Sequence, residues 1–223
     1  MYLTINISLI KKEKMKQYDH IDYCNTKRLL HTPIYAFDKL DGSNLRFEWS
    51  KKRSWYKFGS RRQMIDENNE QFGAGVTMFL DKYGDGLDEI FRRNKNYRNF
   101  RSFIVFAEYY GPNSFAGFHQ PDDIMDLTLF DVNPIGKGFI EPREFVDNFG
   151  HLGIPKIIHT GNMTMEFIND VKQNKFNLVE GAVCKATKKE KGNRIWMTKV
   201  KTDEWMNKIK NKFGETKYLE ELK

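Results

Sequence analysis

Cysteine is scarce in this 223-residue chain: only Cys24 and Cys184, far apart and with no Cys-x-x-Cys pair. This excludes a disulfide framework and a cysteine zinc site, and it fits a reducing, intracellular setting such as the cytoplasm. The 5 histidines (His20, His31, His119, His151, His159) form no His-x-x-x-His pair, so the ligand pattern of a zinc enzyme is missing too. No apolar run approaches the roughly 20 residues that span a bilayer, and no membrane partner is expected. Met1 to Leu9 alternates polar and apolar residues without cleavage-type small residues. It reads as a strand or an unstructured leader within residues 1–16, not a signal peptide, which strips meaning from the Asn-x-Ser/Thr matches at Asn6 and Asn162. No internal repeat and no Pro/Ser-rich linker is found. One α+β domain over residues 1–223 is the simplest expectation.

Basic charge is plentiful. The net charge is +7 and the isoelectric point about 9.2, a surplus that favours a polyanionic partner such as nucleic acid or a nucleotide. Hydrophobic residues make up 39% and charged residues 30%, enough to fold a soluble core.

Periodicity predicts strands at Ile34–Lys39, Asn44–Trp49 and Trp55–Ser60, arranged as an antiparallel meander. Leu45, Phe47 and Trp49 alternate with Arg46 and Glu48, the period of a half-buried strand. Helical spacing runs from Glu70 to Tyr83, with Gly84 and Gly86 closing that helix, and a basic helix follows over Leu87–Tyr97. Phe103–Tyr110 and Leu127–Val132 read as buried strands. Helices are expected at Glu141–Phe149, Met163–Gln173 and Asp203–Phe213, the last with Trp205, Ile209 and Phe213 on one face and forming a C-terminal extension over 203–223. Leu178–Ala186 and Arg194–Lys201 complete the strands.

Four pieces carry chemistry. In Phe37-Asp38-Lys39-Leu40-Asp41-Gly42-Ser43-Asn44 a lysine precedes an Asp-Gly turn. Alone this is a common hairpin signal; the alternative is a nucleophilic amine, which needs a depressed pKa supplied by burial and neighbouring cations. Lys199 and Lys201 lie two apart on a strand and share a face, with Val200 toward the core. They belong either to a solvated edge or to a phosphate site. Glu108 and Glu180 are single acids in apolar runs, which need an internal cation, a ligand hydroxyl or a metal. Phe130 reads first as a core aromatic.

Together these pieces resemble the covalent nucleotidyltransferases, the superfamily of DNA ligases, RNA ligases and messenger-RNA capping enzymes. Lys39-x-Asp41-Gly42-x-Asn44 looks like motif I and Ser60-Arg61-Arg62 like motif Ia. Phe106 to Gly111 looks like motif III and Leu129-Phe130-Asp131-Val132 like motif IIIa. Glu180-Gly181-Ala182-Val183 looks like motif IV, and Lys199-Val200-Lys201 like motif V. Asn44, where DNA ligases and capping enzymes usually carry Arg, points to the RNA ligase 2-like branch. The stretch after Lys201 is too short for an OB-fold domain or the helical C-terminal domain of fuller relatives.

The resemblance implies an adenylyltransferase fold of antiparallel sheets with flanking helices and no OB-fold domain. The implied enzyme is an ATP-dependent RNA ligase, with a DNA nick ligase and a non-sealing nucleic-acid-binding module as the alternatives. Lys39 would be the nucleophile that takes AMP, and Lys199 and Lys201 would bind the α-phosphate and keep Lys39 unprotonated. Glu180 would hold Mg²⁺ or Mn²⁺. Glu108 and Arg61 would bind the ribose, Phe130 would stack on adenine, and Asp38 would read the adenine edge through its backbone. Asn44 would contact the phosphate or the RNA end. Asp41 either supports the metal from behind its ligands or only forms the turn. The implied substrate is RNA, as a nicked duplex or broken ends, acted on by a monomer with a partner or separate domain supplying further contacts. Arg92–Asn99 and Lys51–Arg62 could meet backbone phosphates or simply be solvated.

Overall fold

Two five-stranded sheets face each other in the structure, a computed structural model that describes residues 15–24, 30–112, 119–120 and 122–223. The expected leader at Met1–Leu9, most of the charge run from Lys11 and the Asn6 match lie outside these residues. In chain order the strands are β1 (Asp22–Tyr23), β2 (Pro33–Lys39), β3 (Ser43–Ser50), β4 (Ser54–Ser60), β5 (Met64–Ile65), β6 (Ser102–Tyr110), β7 (Asp126–Pro134), β8 (Ile157–Asn162), β9 (Gly181–Glu190) and β10 (Arg194–Lys201). The helices are α1 (Gly73–Phe79), α2 (Asp85–Arg93), α3 (Pro142–Phe149), α4 (Met165–Lys172) and α5 (Asp203–Glu221). Sheet A has the order β1-β10-β9-β2-β8 and sheet B the order β5-β4-β3-β6-β7. Only β1 against β10 is parallel.

The Asp41-Gly42 turn is therefore not a hairpin. β2 bonds to β8 and β9, while β3 bonds to β4 and β6. The expected meander breaks at this point, and the turn after Lys39 carries the chain from one sheet to the other. Gly42 is required by the close approach of β6: a Cβ there would lie 2.4 Å from the Tyr109 carbonyl oxygen.

Three apolar layers follow from the two-residue period of the strands. Leu45, Phe47 and Trp49 of β3 face α1 and α2, where Phe47 stacks on Phe79 at 3.6 Å and Phe91 on Phe103 at 3.9 Å. Ile34, Ala36, Ala182 and Val200 of sheet A pack against Phe167, Ile168 and Val171 of α4. Between the sheets lie Ile104, Phe106, Phe139 and Ile195, with Tyr18 and Phe130 beside them. Arg46 and Glu48 do not reach solvent as the alternation predicts. They turn into this inter-sheet layer and are buried, Arg46 donating to the Ser60 and Met15 carbonyls and Glu48 accepting from Tyr56.

Gly84 and Gly86 do not end the first helix either. A π-helical turn, Leu80–Gly84, joins α1 to α2. Phe79, Tyr83, Leu87 and Phe91 are spaced by four and all buried; an α-helix would rotate such a series steadily off the core, and one wider turn takes up the drift. Trp55 Nε1 donates to the Gly84 carbonyl at 3.0 Å. α2 stops at Arg93, earlier than expected, because Asn94 turns extended. β8, an edge strand with little burial, had no periodic signal. α5 runs past Phe213, but Gly214 breaks it (φ 84°, ψ 177°) where the amphipathic pattern ends. Among the described residues no helix is long and apolar enough to cross a membrane.

Candidate active site

Gly181 is the point from which the site is built. In the β2-β9-β10 ladder Lys39 pairs with Gly181 on one side and Lys201 with Gly181 on the other. A Cβ on Gly181 (φ 158°) would lie 2.1 Å from the Val200 carbonyl oxygen, so the ladder itself demands glycine there. This register brings both amines onto the preceding carboxylate. Lys39 Nζ donates to Glu180 Oε2 at 2.6 Å, and Lys201 Nζ lies 2.8 Å from Glu180 Oε1. Glu180 and Lys201 are both buried, and the Glu180 carbonyl accepts from Thr202 N–H at 3.0 Å.

A cavity of about 320 Å³ opens over this cluster between the sheets. All ten residues singled out from the sequence line it: Asp38, Lys39, Asp41, Asn44, Arg61, Glu108, Phe130, Glu180, Lys199 and Lys201. Sheet A supplies the lysines and sheet B the opposite wall, where Asn44 on β3 pairs directly with Glu108 on β6. Phe130 of β7 is half-buried, with Tyr18 edge-on at 5.1 Å. Arg61 stands exposed at the rim. Lys199 and Lys201 do share a face with Val200 on the other side, but Lys201, 2% exposed, is no part of a solvated edge.

The electrostatics correct one expectation. Lys199 and Lys201 do not hold Lys39 unprotonated in this state. Burial works against the Lys39 ammonium, yet the carboxylates of Glu180, Glu108 and Asp41 outweigh it, and its pKa stands above the ordinary lysine value. Lys199 is the amine held low, by burial and then by the charge of Lys201. Burial pushes Glu108 up to about 8, against the pull of Lys39 and with help from the Glu180 and Asp41 charges. Asp38 is also raised, chiefly by burial, and its Oδ1 is buried without a partner. Its backbone was expected to read a base, and the backbone N–H donates to the Lys156 carbonyl at 2.8 Å. The side-chain Oδ1 is thus one acceptor at this position with no partner.

Several contacts of the wall had no motif to reveal them. Asp41 is buried, accepts from Trp205 Nε1 at 3.0 Å, and offers its carbonyl to His119 Nε2 at 2.6 Å. It is tied to α5 rather than being only a turn former. Trp205 also lies under Lys201, whose Nζ sits 3.8 Å from the ring centroid. Glu221, at the far end of α5, reaches Lys201 Nζ at 2.5 Å. Burial would raise its pKa, but the hydrogen bonds and charges of Lys201 and Lys217 hold it at about 2. Tyr18 donates to Asp131 Oδ2 at 2.8 Å, and Lys185 meets the same oxygen at 2.8 Å. Only the aromatic face of α5 hinted at any of these contacts.

The family model described as RNA ligase matches residues 32–201. The chain belongs to the RNA ligase family. Solved RNA ligases share its nucleotidyltransferase fold. A mutant Naegleria gruberi RNA ligase with ATP and Mn superposes with a TM-score of 0.63 at 17% identity, covering 89% of this chain and 59% of that one. Another Naegleria mutant, with AMP and Mn, gives 0.62 at 16% identity over 89% and 59%. An archaeal ATP-dependent RNA ligase gives 0.63 at 13% identity over 87% and 50%. This member of the family therefore spans between half and three fifths of the length of these relatives. No curated protein matches it.

Proposed function

We propose that this chain performs ATP-dependent RNA ligation, joining RNA 3′-hydroxyl and 5′-phosphate ends through an AMP carried on Lys39. One observation carries the reading: a single cavity gathers the Lys39 amine, two further lysines, Glu108, Glu180 and Phe130, with Lys39 directly on Glu180. The residues fit a nucleotide. Phe130 offers a ring for adenine, the orphaned Asp38 Oδ1 an acceptor for a base amino group, and Lys199 and Lys201 cations for phosphate. Glu108 and Arg61, which line the cavity, would bind the ribose, and Asn44, on the same wall, would contact the phosphate or the RNA end. Asp41 steadies this wall through Trp205.

The residues also fit a divalent cation of the Mg²⁺ or Mn²⁺ type. Such an ion binds through one or two carboxylates plus substrate phosphates, and Glu180 offers one carboxylate beside the lysines. Its chemistry would be to neutralise charge on the phosphate oxygens. Lys39, once Glu180 is engaged elsewhere, loses the charge that chiefly raises its pKa, which favours the free amine that attack requires. Lys39 Nζ then bonds to the α-phosphorus of ATP as the bond to pyrophosphate breaks. The AMP passes to an RNA 5′-phosphate, and a 3′-hydroxyl attacks that activated end and releases AMP. The protein contributes positioning and charge neutralisation.

The test uses ATP labelled at the α-phosphate, followed by a chase with nicked duplexes carrying RNA or DNA at the 3′-hydroxyl. Wild type should take up label and pass it to the 5′-phosphate of the RNA nick, and Lys39→Ala should take up none. Labelling that survives in Lys39→Ala, or equal or better sealing of all-DNA nicks, would overturn the reading.

A further inference from the structure

The two basic stretches, Lys51–Arg62 and Arg92–Asn99, meet in space at the end of sheet B remote from the cavity. Lys51 N–H donates to the Arg101 carbonyl at 3.0 Å and Lys51 Nζ to the Arg98 carbonyl at 2.5 Å, which ties the β3–β4 turn to the segment after α2. Lys52, Arg53, Lys95, Arg98 and Arg101 are all exposed, and among the described residues none is paired with a carboxylate. Arg92 and Arg93, by contrast, are neutralised by Asp88 and Glu89.

β4 connects this patch to the site. Its far end follows Arg53, and its near end leads into Arg61 at the cavity rim and Arg62. β5 covers only Phe58 and Gly59 of its outer edge. β4 is 7 residues long, so at about 3.3 Å per residue its two basic ends stand about 25 Å apart. Two exposed hydrophobic residues border this track, Met64 on β5 and Ile135 beside Ser102, against five exposed basic residues, a balance unlike the apolar core of a protein-docking face.

We propose that this edge of sheet B is a second nucleic-acid contact: one arm of the substrate leaves the cavity past Arg61, runs along β4 and is held by Lys52, Arg53, Arg98 and Arg101 through its phosphates. The identity of the polymer as RNA rests on the proposed ligase activity; the track itself rests on the geometry. At the roughly 3.4 Å per step of a B-form duplex the track would span about seven base pairs, and the more compact A-form helix of RNA fits a few more. Affinity is therefore set by arm length.

The test measures binding by fluorescence anisotropy to nicked RNA dumbbells whose arms are 5 or 15 base pairs, each closed by a loop. Wild type should bind the long-arm RNA about tenfold or more tighter than the short-arm RNA. The Lys52→Gln/Arg53→Gln/Arg98→Gln variant should lose that difference, with a slope of log affinity against log salt lower by about 2 to 3. It should still form the AMP adduct at the wild-type rate, which separates this result from failure of the nucleotide site. Lys52→Glu/Arg53→Glu/Arg98→Glu should lose more, in the same arm-length pattern. Arm-length indifference in wild type, an unchanged long-to-short ratio in both variants, or equal losses on both substrates would overturn the proposal. A variant that loses polyglutamate binding but keeps the RNA ratio would mark the track as a protein site and overturn it as well.

Discussion

The two ends of the molecule handle positive charge in opposite ways. At the cavity end Lys39, Lys201 and Lys185 are each held by a carboxylate, at 2.6, 2.8 and 2.8 Å. At the other end Lys52, Arg53 and Arg98 are exposed, with no carboxylate paired to them among the described residues. The difference follows from solvation. A buried ammonium without a counter-ion is too unfavourable to persist, so these three cations come with anions, whereas the less buried Lys199 has its pKa held low instead. An exposed cation keeps its water and stays open to any phosphate that approaches. The first arrangement suits chemistry on one small ligand; the second suits loose contact with a polymer.

The largest break in this contrast should come from Lys201→Met. It leaves Glu180 and Glu221 without their shared cation, and removal of one partner from a buried ion pair typically costs about 3–5 kcal/mol. Urea unfolding should show that loss, and a midpoint within error of wild type would mean the cluster is solvated. Glu108→Gln should give a smaller, pH-dependent effect. The folded-state value of about 8 lies above the ordinary 4.5, so the folded protein holds this proton more tightly than the unfolded chain. That contribution to stability is full below about 4.5 and is lost as pH rises through 8. The melting temperature of the Gln variant relative to wild type should therefore climb between pH 6 and pH 9, whereas a constant gap would place Glu108 in water.

Glu221→Gln should be subtler. Glu221 occupies Lys201 where a phosphate would bind, so its neutralisation should lower the ATP concentration for half-maximal adduct formation several-fold; an increase would show that Glu221 supports nucleotide binding instead. Lys95→Ala should be smallest, within about 0.5 kcal/mol of wild-type stability. A larger loss would place this residue in the structure's framework, contrary to the contrast drawn above.

The cavity wall was legible in the sequence because its residues break the local apolar pattern: an amine before a turn, paired lysines and lone acids interrupting apolar strands. Its strands were legible from the pattern itself, since Leu45, Phe47 and Trp49 alternate. Three features were not. Asp41-Gly42 carries the signal of a hairpin, and only the partners of β2 and β3 show that it bridges two sheets. The continuity of α1 and α2 depends on a π turn, which glycines disguise as a helix end. Glu221, Trp205 and Tyr18 reach the cavity from the ends of the chain, and no local pattern records contacts across such separations.

The most direct measurement is to locate the AMP. After incubation with ATP and Mg²⁺, the protein would be digested and its adenylylated peptide sequenced by mass spectrometry. AMP on Lys39, with Lys185, Lys199 and Lys201 unmodified, is the expected result. AMP on any of those three, or on none of the four, would contradict the assignment of Lys39 as the nucleophile.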